Sequence, residues 1–101
     1  MEEINMAQDT RPIAGGKHLE YMGKPLVRQD DTICYGDMNE KYILILEIFD
    51  YDKETNLPKT VLIQVVESQD TNKIVKQGQK EGLSNAFSLG LVWLERALQG
   101  G

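Results

Sequence analysis

Residues 41–49, KYILILEIF, and residues 60–66, TVLIQVV, decide the fold. Both runs are too short for a comfortable globular helix, and both are rich in β-branched residues, so both read as strands. Asp50 stops the first run. Residues 50–58, DYDKETNLP, are polar and end in proline, which suits a hairpin loop joining two antiparallel strands.

Alternation along these strands leaves both faces apolar. Leu44, Leu46 and Ile48 point one way, while Ile43, Ile45 and Phe49 point the other. In the neighbour, Val61, Ile63 and Val65 oppose Leu62 and Val66. An antiparallel sheet wetted on one side should show polar residues at alternate positions, yet only Glu47, Gln64 and Thr60 interrupt the second face.

Downstream, residues 67–72 form a polar connection. Residues 73–77 contain Ile74-Val75 and fit either a strand or a helical turn. Pairing them beside 60–66 is the favoured expectation, because a charge-free strand makes a poor exposed edge. That pairing would place Lys73, Lys76 and Lys80 near the new edge, where lysine discourages further addition. Gly78 and Gly82 argue against one continuous helix from residue 70 onward, each costing about 1 kcal/mol relative to alanine. Leu83, Phe87, Leu91, Leu94 and Leu98 then recur at helical spacing, widened by Ala86, Gly90, Trp93 and Ala97. The spacing predicts an amphipathic helix over about 80–99, ended by Gly100-Gly101.

Upstream, residues 19–22 read as a short strand stopped by Gly23-Lys24-Pro25, and 26–28 resume extended character. Asp30-Asp31 forms a turn into the strand-like 32–35, and 36–40 are the next connection. Residues 1–17 read as a flexible tail and 18–101 as one domain. The predicted fold is α+β: a four- or five-stranded antiparallel meander with the C-terminal helix packed on one face. One helix of this length covers one side of such a sheet. The other side is covered either by the N-terminal strands curling into a half-barrel, or by a second protein, most simply another copy.

Composition narrows the function classes. The chain has 101 residues, 41% apolar and 27% charged, an ordinary globular mix for one domain. Net charge is −5, which repels phosphate backbones and anionic membrane surfaces, so neither nucleic acid nor membrane is an expected partner. No apolar run approaches the ~20 residues that span a bilayer, and residues 1–3 carry no secretory pattern. The lone Cys34 suits a reducing, cytoplasmic location and allows no intramolecular disulfide.

Candidate chemistry is sparse. Asp50, Asp52, Glu54 and Asn56 have the alternate spacing of a calcium loop, but Thr55 and Val61 stand where that pattern needs glycine and glutamate. His18 and Cys34 have no ligand-spacing partners. No nucleophile elbow or Walker loop occurs, so no catalytic, cofactor or metal residue is assigned, and the pattern leans away from an enzyme without deciding it. Lys73, Lys76 and Lys80, before a helix, are weak candidates for an anion site. Ile43, Ile45, Phe49, Leu62, Val66 and Trp93 are the candidate interface residues. The reading is a non-catalytic protein-interaction or regulatory module, partnered by itself or another protein. Its alternative is a small-molecule-binding domain or minor enzyme with a pocket between helix and sheet.

Overall fold

The computed structural model describes residues 12–13, 16–17 and 19–100. Strand β1 (Pro12–Ile13) pairs antiparallel with β2 (Gly16–Lys17) as a two-stranded ladder. The rest of the predicted tail, and His18, lie outside the described residues. Six strands then follow in a single antiparallel meander: β3 (Leu19–Tyr21), β4 (Lys24–Gln29), β5 (Thr32–Tyr35), β6 (Tyr42–Ile48), β7 (Thr60–Glu67) and β8 (Asp70–Glu81). Helix α1 (Leu83–Gly100) closes the chain and packs on one face.

The sheet therefore has six strands, not the expected four or five. Two local features explain the difference. Met22 and Gly23, with φ of 53° and 83°, form a two-residue turn of the twist that suits a hairpin, so 19–21 and 24–29 are separate paired strands. At the far edge β8 runs for 12 residues along β7, far beyond 73–77. Pairing continues to Thr60↔Glu81, which delays the helix from about 80 to Leu83. Gly82, at φ 87°, makes the abrupt change of direction that a side-chain-bearing residue resists.

The central pair is in the register that alternation implies, with Leu44↔Val65, Leu46↔Ile63 and Ile48↔Val61 facing the helix. These six side chains are all buried and join Leu26, Ile33, Phe87 and Leu94 in the core. Beside them Phe87 meets Tyr21 and Tyr35 edge-to-face, at centroid distances of 5.3 and 5.4 Å. Tyr35 donates its hydroxyl to the Tyr21 carbonyl at 2.7 Å, so the aromatic cluster carries its polar tip without an unmet hydrogen bond.

Two glycines set how closely the helix approaches. A Cβ on Gly90 would lie 2.7 Å from Leu44 Cδ1 and 3.3 Å from Ile63 Cγ2. A Cβ on Gly78 of β8 would lie 2.8 Å from Trp93 Cη2. Helix and sheet thus meet backbone-to-side-chain at both points, and among the described residues no half-barrel forms, because β3 and β8 are the two edges of an open sheet.

Gly90→Val should destabilise the domain by about 1–3 kcal/mol in urea unfolding, since overpacking outweighs the helix-propensity gain. Leu44→Ala in the same chain should recover part of that loss, giving a non-additive double-mutant cycle.

Candidate functional site

Among the described residues, α1 packs on one face of the sheet and the opposite face carries no helix. Register places two rows across its centre. One runs Gln29, Thr32, Glu47, Leu62, Gln79, and the next runs Val27, Cys34, Ile45, Gln64, Gln77. Glu47 is the only charged side chain in these rows. Thr32 Oγ1 lies 3.4 Å from Glu47 Oε2, and Gln64 Nε2 donates to Gln77 Oε1 at 3.0 Å. The face is therefore less greasy than the two central strands alone suggest, because β4, β5 and β8 contribute glutamine and threonine.

The candidate interface residues separate into three groups. Ile43 and Val66 are buried within the chain. Ile43 lies under Gly36, where a Cβ would come within 3.1 Å of it, and Val66 sits between its cross-strand neighbours Ile43 and Ile74. The connection over 36–41 is held there by the Lys24–Glu40 ion pair at 2.7 Å, which engages a buried carboxylate oxygen. The Ser68 hydroxyl donates to the Glu40 carbonyl, and Ser68 N donates to Lys41 O at 2.9 Å. Ile45 and Leu62 are half-buried on the open face, and Phe49 stands at its end, 60% exposed. Trp93 is on the other side of the sheet, packed over Gly78.

Cys34 shares the open face with Ile45, its cross-strand partner. Burial, and then the nearby Glu47 carboxylate, push its thiol above the ordinary range, so little thiolate forms at neutral pH.

The calcium-like spacing resolves into a hairpin loop that uses its own oxygens. Asp52 Oδ1 accepts from Glu54 N at 2.8 Å and Thr55 N at 3.0 Å, and Asp50 Oδ1 accepts from Thr60 N at 2.8 Å. Asn56 takes φ 61° to close the turn. Tyr51 Oη donates to Asp31 Oδ1 at 2.6 Å, tying this loop to the β4–β5 turn. Among the described residues no group of three or more His, Cys, Asp or Glu side chains could hold a metal ion.

Lys73, Lys76 and Lys80 all lie on β8. They are strung along an extended strand, so Lys76 and Lys80 are about 13 Å apart and do not converge on the helix start. Lys80 borders a shallow polar recess with Gln79, Glu81, Thr60 and Asn85. Lys76 instead lies over the Trp93 ring, its Nζ 5.0 Å from the centroid.

That contact marks a groove of about 380 Å³ between β8 and the last turns of α1, lined by Tyr42, Val75, Lys76, Trp93, Arg96 and Ala97. Arg96 was not among the residues that the sequence pattern singled out. The signal was present in two pieces: Trp93, Arg96 and Ala97 share a helix face at i, i+3 and i+4, and Lys76-x-Gly78 offers a cation beside a gap.

No protein-family model, curated protein or solved structure matches the chain. Among the described residues, no helix is long and apolar enough to cross a membrane.

Cys34 should react with iodoacetamide at neutral pH more slowly than a free thiol, and Glu47→Gln should speed it modestly by removing the smaller of the two causes. A rate equal to that of a free thiol would show the face to be open around it. Asp52 is held below the usual carboxylate range by the Thr55 and Glu54 amides. A depressed folded value means that its support of the loop is complete above the ordinary aspartate range and is lost as pH falls through the lower, folded value. The Glu54 and Thr55 amide resonances should therefore titrate with a midpoint below that of ordinary aspartate.

Proposed function

We propose that this domain is a non-catalytic interaction module that works as a homodimer, two copies stacking their open sheet faces. The observation that carries this reading is the charge pattern of that face. Eleven lysines and arginines occur in the chain, yet the two central rows hold none, and Glu47 is their sole charge. Lys24, Arg28, Lys76 and Lys80 instead pair across the sheet with Tyr21, Ile33, Val65 and Val61, on the helix side.

Size supports the same occupant. Five strands ~4.8 Å apart, crossed by strands about 23 Å long, present roughly 500–600 Å² of projected area. With the relief of the side chains this approaches the ~800 Å² per partner of a standard interface. Val27, Cys34, Ile45, Leu62 and Phe49 supply apolar contact, and the glutamines at either end of Glu47's row supply amide donors for the partner's carboxylate. Self-stacking also needs no external partner with a matching charge pattern. The half-buried thiol suits a reducing compartment, in keeping with a cytoplasmic site of action.

Native mass spectrometry and sedimentation equilibrium of the untagged protein at micromolar concentration should give the mass of two chains. Ile45→Lys, at a half-exposed position, should yield a folded monomer, whereas Glu47→Gln should tighten the dimer. A wild-type protein that stays monomeric throughout that range would overturn the reading. So would a dimer that Ile45→Lys leaves intact.

A further inference from the structure

The groove beside Trp93 lies on the opposite side of the sheet from the proposed dimer face and has a different chemistry. Its walls are aromatic and aliphatic: Tyr42, buried, together with Val75, Trp93 and Ala97. Its polar groups are Lys76 and Arg96, and no carboxylate side chain is among the lining residues. Glu67, the cross-strand partner of Tyr42, is the closest acidic residue by register and is not part of the lining either. Among the described residues neither Lys76 nor Arg96 forms an ion pair, the one such pair being Lys24–Glu40. A third cation, Lys41, lies with its Nζ 5.5 Å from the Tyr42 ring centroid. In a chain of net charge −5, this is a local gathering of positive charge on an apolar base.

We propose that this groove is a binding site for a small amphipathic organic anion, a carboxylate or phosphate head on a compact ring or short chain. Its volume falls near the lower end of the ~300–1,000 Å³ usual for ligand pockets, which sets the size of the ligand body. The two side chains offer complementary recognition. Arg96 presents a planar fork that can bind a carboxylate or phosphate through two hydrogen bonds, and Lys76 adds a point charge. Lys76 is already positioned, because its ammonium lies over the Trp93 ring and Trp93 is seated in the gap left by Gly78. Less side-chain freedom is then lost on binding. The carbonyl end of α1 at Gly100 also borders the groove and repels an anion, so the head group belongs at the Lys76–Arg96 side. The ligand's apolar body then covers Tyr42, Val75 and Ala97. Neutral ligands forgo the charge-assisted contacts, and inorganic anions forgo the apolar ones.

Trp93 is the single tryptophan of the chain, so its emission reads this groove directly. The full chain is titrated with phenylbutyrate, with phenylbutanol as its uncharged counterpart, and with inorganic phosphate as a head group lacking a body. The expected result is a saturable change with phenylbutyrate at sub-millimolar concentration, about tenfold weaker binding of phenylbutanol, and no saturable response to phosphate. Arg96→Met, at an exposed position, should weaken phenylbutyrate by about tenfold while circular dichroism is unchanged. Lys76→Met should weaken it as well, followed by amide chemical shifts because this change alters the Trp93 emission itself. Ile45→Lys, on the far face, should leave the affinity untouched, which keeps this test separate from the dimer. No saturable response to phenylbutyrate, equal affinity for phenylbutanol, or an unchanged affinity in Arg96→Met would each overturn the proposal.

Discussion

The contact of Gly90 with Leu44 and Ile63 is the constraint on which the rest of the structure depends. A helix over a sheet normally stands off by the length of its own side chains. Here the helix presents bare backbone at its midpoint, and two side chains of the central strands fill the space. Phe87 and Leu94, a turn to either side, are thereby brought down into the core. Phe87 reaches the Tyr21–Tyr35 pair, which ties the first strands to the last element of the chain. Seated this low, the helix also places Trp93 against Gly78 and so opens the groove toward Lys76 and Arg96.

The same packing divides the surface into two regions of different character. Lys76 and Lys80 of the long edge strand fall on the helix side, where Lys76 lies over the Trp93 ring and both charges discourage further strand addition. The bulge between Val65 and Glu67 bends this edge and adds to that protection. The opposite face carries glutamine, threonine and half-buried aliphatic residues and is almost uncharged. A face of this kind tolerates water and also tolerates another protein, which is why the proposed dimer and the proposed ligand groove occupy opposite sides of one sheet without competing.

Much of the fold was legible in local pattern. The runs KYILILEIF and TVLIQVV, the hairpin loop between them and the leucine stripe from Leu83 to Leu98 each carry their period within a few residues, and each became the expected element. Strand number was less legible, because the Met22-Gly23 turn relies on a methionine at positive φ, which no turn rule favours. The helix start was displaced because Gly78 to Glu81 satisfy backbone hydrogen bonds in the ladder, and sequence period cannot weigh that against a helical turn. Of the candidate interface, Ile45, Leu62 and Phe49 are accessible on the open face. Ile43 and Val66 had the same alternation but are buried, Ile43 lying under Gly36 of a connection whose path depends on contacts with Lys24 and Ser68, residues remote from it in sequence.

By itself, then, the sequence determined the class of the fold, the central hairpin, the amphipathic helix and the lack of any recognisable catalytic pattern, because these follow from periodicities and residue types read over short windows. Only the tertiary structure decided which face the helix covers, how much of the other face stays open, and that Lys76, Trp93 and Arg96 share one groove. Those outcomes depend on distances between residues far apart in the chain. They were set where glycine let one element approach another, and no local pattern records that approach.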